Sequence, residues 1–81
     1  MQYCAILFKS VHDVLRAEST LKGSYLETDV IPVPKEISPD CGMAIRIKCS
    51  DRQDAKNELA AMTEKIVGFY EVHQSKFKAI E

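Results

Sequence analysis

One cysteine stands in the stretch Ser38-Pro39-Asp40-Cys41-Gly42-Met43-Ala44-Ile45-Arg46, between a proline-rich turn and a segment that alternates as a strand does. A thiolate is a nucleophile, and it reacts where it is accessible and where nearby positive charge favours it. Pro34 and Pro39 precede Cys41 and Gly42 follows it. The local backbone is therefore expected outside the sheet and the sulfur at solvent, with Gly42 tolerating an unusual conformation. Lys35, Lys9 or Arg46 can supply positive charge, while Asp40 acts in the opposite sense. The Ser38 hydroxyl and the Gly42 N–H are candidate donors to the sulfur, and each reads equally well as plain turn chemistry.

The other two cysteines, Cys4 and Cys49, read differently. Three cysteines are an odd number, and Met1-Gln2-Tyr3-Cys4 has neither the basic segment nor the apolar run of a secretion signal. Reduced thiols in a cytoplasmic protein are the expectation, with Cys4 and Cys49 as small hydrophobes on the helix-facing side of a sheet. Cys41 and Cys49 are too far apart to pair in one chain, because an extended run between them spans about 25 Å. His12 and His73 are far apart in sequence and near no cysteine at ligand spacing, so no metal or cofactor site is recognisable. No acid–base pair or nucleophile–histidine constellation can be assembled, which argues against an enzyme.

Composition narrows the classes further. The 81 residues form a single domain, and 46% hydrophobic with 28% charged residues is the balance of an ordinary soluble fold. Eleven basic and twelve acidic side chains leave a net charge of -1, so no field gathers nucleic acid or an anionic membrane. No run approaches the roughly 20 apolar residues that span a bilayer. The aromatic residues lack a basic patch beside them and read as sheet packing rather than base-stacking platforms.

The elements that must position Cys41 follow from hydrophobic periodicity. Tyr3 to Phe8 is a short apolar run, the pattern of a central strand covered on both faces. Ser10 with Asp13 marks a helix start, followed by Val11, Val14, Leu15 and Leu21 at helical spacing until Gly23 stops it. Tyr25 to Val33 is rich in β-branched and aromatic residues and reads as a second strand. In the third, Met43, Ile45, Ile47 and Cys49 point one way and Ala44, Arg46 and Lys48 the other. Ser50 with Gln53 repeats the capping spacing, and Ala55, Leu59, Met62 and Ile66 form one stripe of a second helix. Residues 67–72 supply a last strand, and the tail 73–81 has no pattern of its own. The order is that of an α+β, ferredoxin-like βαββαβ fold, a four-stranded antiparallel sheet with both helices on one face.

The segment Ile31-Pro32-Val33-Pro34-Lys35-Glu36-Ile37-Ser38-Pro39-Asp40-Cys41-Gly42, with its strand to Arg46, resembles the small domain family described as putative selenium or sulfur carrier protein-like. The likeness runs from about Tyr3 to Tyr70 and rests on a P-x-P-(R/K)-x-(I/L)-S-x-x-C-G turn. Lys35 stands where an arginine is common, which keeps the charge and loses the planar fork. The resemblance implies that Cys41 carries sulfur or selenium as a persulfide or selenylsulfide, supported by Lys35, Ser38, Gly42 and Arg46. It also implies a cysteine desulfurase-like donor and a biosynthetic acceptor protein. The competing reading is a small regulatory or interaction module. Its uncovered sheet face would then serve a homodimer or another partner, with Cys41 as a redox-sensitive or inert turn residue.

Overall fold

The computed structural model describes residues 2–74 and 76–81. Its elements in order are β1 (Tyr3–Phe8), α1 (Val11–Gly23), β2 (Asp29–Pro32), β3 (Met43–Lys48), α2 (Arg52–Glu58), β4 (Ile66–His73) and β5 (Lys76–Ala79), with 3₁₀ turns at Cys49–Asp51 and Ala60–Lys65. The strands form one antiparallel sheet in the order β2-β3-β1-β4-β5, so the sheet has five strands and not the four expected. The extra strand comes from the tail. Lys76–Ala79 pairs with Tyr70–His73, and Gln74, just after β4, adopts φ 50°. No described helix is long and apolar enough to cross a membrane.

The main core lies between the helices and one sheet face. β1 contributes Cys4, Ile6 and Phe8, β3 contributes Ile45 and Ile47, and the helical segments close over them with Val14, Ala17, Leu21, Ala55, Leu59 and Met62. β1 is buried on both faces, as its unbroken apolar run requires, because Ala5 and Leu7 belong to a second cluster on the other side. That second cluster corrects the expectation of an uncovered sheet face. Val33 and Ile37 from the loop after β2, with Phe77 of β5, cover part of it around Ala5, Leu7 and Ala44.

The ends of the helices depart most from the spacing. Ser10 caps α1 as expected, its hydroxyl accepting from the Asp13 N–H. Val11 and Leu15 nevertheless face solvent, and Val14, Ala17 and Leu21 make the buried stripe. Gly23 is the last residue of the helix rather than its stop. The reversal falls at Tyr25, with φ 64°, whose N–H donates to Lys22 O while that of Leu26 donates to Leu21 O. This is a Schellman motif with tyrosine at the left-handed position where glycine costs least. Tyr25 is therefore no strand residue, and at 97% exposure its ring gains nothing from burial. Replacing Tyr25 with glycine is expected to stabilise the protein by about 1 kcal/mol. A urea midpoint that stays or falls in Tyr25→Gly would contradict that assignment.

The second helix starts later and ends earlier than the stripe implies. Ser50 lies in a 3₁₀ turn, and Asp51, the residue before the helix, makes no side-chain cap bond. After Leu59 the chain tightens into 3₁₀ geometry, with a break at Met62. Three residues per turn brings Leu59 and Met62 to the same side, and both are buried. Core contact thus overrides the helical propensity of Ala60-Ala61-Met62. β4 takes up Ile66, and at Gly68 a Cβ would stand 3.1 Å from the Glu81 carbonyl oxygen, a closeness that only glycine accommodates freely. Phe69 exchanges backbone hydrogen bonds with Ile80 and Glu81, and the Glu81 carboxylate pairs with Arg52 and Lys56, tying the tail to α2.

Candidate functional site

The loop between β2 and β3 is a folded unit. The Val33 N–H donates to Gly42 O at 3.0 Å and closes its neck, while Ile37 and Ser38 both donate to Pro34 O and form a turn over residues 35–37. Proline suits both ends, since neither Pro34 nor Pro39 has an N–H left to satisfy. Lys35, Pro39, Asp40 and Gly42 are exposed. Cys41 is not.

The Cys41 side chain is 1% exposed and belongs to the main core, with its sulfhydryl donating to the Met43 carbonyl oxygen at 3.3 Å. This corrects the expectation of a solvent-facing thiol. The alternation of β3 explains it: Cys41 has the parity of Met43, Ile45 and Ile47, and the chain enters the strand already in phase, so the sulfur turns toward the helices. Cys41 therefore packs into the main core although its chain neighbours Asp40 and Gly42 are exposed.

The two remaining cysteines are joined. Cys4 and Cys49 form a disulfide with Cα atoms 5.0 Å apart, so the expectation of three reduced thiols is overturned. Cys4 pairs with Ile47 across β1 and β3, and the Cys49 N–H donates to Gln2 O, so the two cysteines are diagonal neighbours on the same face. Their placement on the helix-facing side is as expected. Cys41 is left as the free cysteine.

The supporting residues are only partly gathered. Ser38 is buried, but the hydrogen-bond partner of the Cys41 sulfur is Met43 rather than Ser38. Gly42 has no positive φ, and a Cβ there would meet nothing within 4 Å, so neither strain nor crowding demands glycine. Arg46 is on the wrong face. By the parity of β3 it projects opposite to Cys41, where its Nη2 donates to Asp29 Oδ2 at 2.7 Å and its guanidinium lies 4.5 Å from the centre of the Tyr3 ring. The Asp29 hydrogen bond raises the Arg46 pKa above its ordinary value, against a smaller opposing effect of burial. Lys9, Ser38 and Asp40 line a shallow pocket of about 340 Å³ floored by Phe8, Ile37 and Val67, beside the Cys41 loop at the end of β1. Lys9 and Asp40 thus meet at the rim of this pocket, a proximity that their separation in sequence does not announce. Among the described residues no three His, Cys, Asp or Glu side chains gather as a metal site.

The family model described as "Putative Se/S carrier protein-like" matches residues 3–71. An uncharacterized protein of Methanocaldococcus jannaschii is 33% identical over 76 residues, covering 94% of this chain and 38% of that protein. The chain thus spans well under half the length of that relative. No solved structure matches it.

Proposed function

Because the chain belongs to the family described as putative Se/S carrier protein-like, we propose that it is a non-enzymatic sulfur or selenium carrier that holds the chalcogen on Cys41. The observation that carries this reading is that the disulfide occupies Cys4 and Cys49 and leaves the motif cysteine as the free thiol. Loading is an exchange at sulfur. The Cys41 thiolate attacks the terminal sulfur of a donor persulfide, the donor S–S bond breaks, a new S–S bond forms on Cys41, and the donor leaves as thiolate. The persulfide proton stays with the transferred sulfur, and no net oxidation occurs. The same balance holds for selenium, and a cysteine desulfurase-like donor and a biosynthetic acceptor protein are the partners this requires.

Burial fits the task of holding such a load. A terminal persulfide is lost to any small thiol that reaches it, so a carrier gains from closing between encounters. The chain around it is lightly anchored, since Pro39, Asp40 and Gly42 are exposed on either side of Cys41. Opening residues 38–42 would present the sulfur without unfolding the sheet. We read the order β2-β3-β1-β4, with helices after β1 and β3, as the split β-α-β plan of ferredoxin-like folds extended by β5. A cytoplasmic setting is part of the proposal. The disulfide persists there if reductant is kept from it, and of its two cysteines Cys4 is fully buried and Cys49 half-buried.

A desulfurase supplied with cysteine should add one sulfur to the protein, reversibly with reductant, at Cys41 alone. Cys41→Ser should gain none while remaining folded. Since the position is buried, the exchange of thiol for hydroxyl is expected to cost about 1–2 kcal/mol. Intact-mass and peptide mass spectrometry read the loading, and circular dichroism reads the fold. Sulfur gained equally by Cys41→Ser, or gained by the wild type and never passed to an acceptor, would reject the carrier.

A further inference from the structure

The sheet face turned away from the helices holds a groove of about 600 Å³, a size typical of small-molecule sites. The strand order sets its shape. Tyr3 of β1 and Arg46 of β3 lie centrally, Val33 and Pro34 flank them beyond β2, and Val72 and Phe77 flank them on β4 and β5. The lining is mainly apolar, with one cation.

That cation is held in place from two sides. Asp29 fixes one nitrogen of Arg46, and the guanidinium carbon sits over the Tyr3 ring, 4.5 Å from its centre. A guanidinium has five N–H donors in a rigid fork, and Asp29 uses one edge of it. Nε is sealed from water and has no hydrogen-bond partner, although the side chain as a whole is 36% exposed. A buried donor without an acceptor is unusual and disfavoured. A carboxylate entering the groove would offer two coplanar oxygens to the fork, and a small rotation of the guanidinium would bring Nε to one of them. The apolar walls would meanwhile take the body of the same molecule, with Phe77 and Tyr3 suited to a flat one.

We propose that this groove is a binding site for small organic carboxylates with a planar apolar body, recognised through Arg46. Its cation is distinct from the carrier thiol, because Arg46 and Cys41 project from opposite faces of the sheet, although Val33 and Pro34 at the neck of the Cys41 loop form one wall. Its success or failure leaves the carrier reading untouched.

Sodium benzoate serves as the probe, with benzamide as its neutral counterpart and inorganic phosphate as an anion without an apolar body. In a ¹H–¹⁵N NMR titration of the oxidised protein, benzoate should give saturable shifts clustered at Tyr3, Arg46, Val72, Gln74 and Phe77. Benzamide should bind at least about tenfold more weakly, and phosphate should leave those residues unmoved. Arg46→Gln should erase the advantage of benzoate over benzamide. Asp29→Asn, which keeps the cation and removes its competing anion, should tighten benzoate binding, and it decides the matter should Arg46→Gln fail to fold. The proposal is overturned if benzoate binds no better than benzamide, if its shifts scatter over the surface, or if Asp29→Asn leaves its affinity unchanged or weakened.

Discussion

Reduction of the Cys4–Cys49 bond is expected to lower the stability of the fold by about 4 kcal/mol and its melting temperature by roughly 20 °C. The two cysteines are 45 residues apart, so the bond closes a loop that contains α1, β2, the Cys41 loop and β3. Breaking it returns the closure entropy of that loop to the unfolded chain. The folded state loses less, because β1 and β3 remain paired through five residue pairs and both sulfurs stay on the core side. Urea unfolding with and without reductant measures the effect, with reduction verified by thiol counting. The reduced protein should also show a larger dependence on urea, since its unfolded state is less constrained. An unchanged midpoint after verified reduction would mean that the bond contributes no stability.

The same bond shows where a sequence stops being informative. β1 was legible from its apolar run, the start of α1 from Ser10, and β3 from its alternation, because each signal lies within a few residues. The disulfide depends on a register, Cys4 opposite Ile47, that no local pattern contains. β5 has little apolar character to announce it, since Lys76, Lys78 and Ala79 are exposed. It forms because β4 offers an unpaired edge. Tyr25 misled because aromatic residues favour strands, whereas the Leu21–Leu26 contact across the helix end decides its conformation. The candidate site was legible in part. The loop between β2 and β3 was legible, but prolines and glycine around Cys41 suggested exposure when the parity of β3 already carried the sulfur inward. The same parity sent Arg46 to the opposite face, so the alternation of β3 already argued against the grouping with Cys41 that the resemblance implied.

Alkylation of Cys41 in the native protein should be slower than in the unfolded chain by about a hundredfold to ten-thousandfold, and it should proceed through opening of residues 38–42 alone. At 1% exposure the sulfur is closed to reagent in the ground state, so its rate reports the population of an open form. Two openings are available, and they differ in how much surface they release. Global unfolding exposes the whole core, whereas lifting the loop breaks its neck bond from Val33 to Gly42 and the sulfhydryl bond to Met43 while the paired strands stay intact. The labelling rate should therefore rise only weakly with urea well below the unfolding midpoint, and steeply only near it. Substituting glycine for Pro39 should raise the native rate several-fold by loosening the loop, and should lower stability by only about 1 kcal/mol, through the greater freedom of the unfolded chain. Carriage adds one requirement: a genuine donor must speed labelling or loading beyond this spontaneous opening, since an encounter that waits on rare fluctuation is a slow transfer. Labelling as fast in the native protein as in urea would contradict the burial of Cys41. A rate that follows global unfolding at every urea concentration would remove the loop-opening route, and with it the means proposed here for a sheltered sulfur to reach its partners.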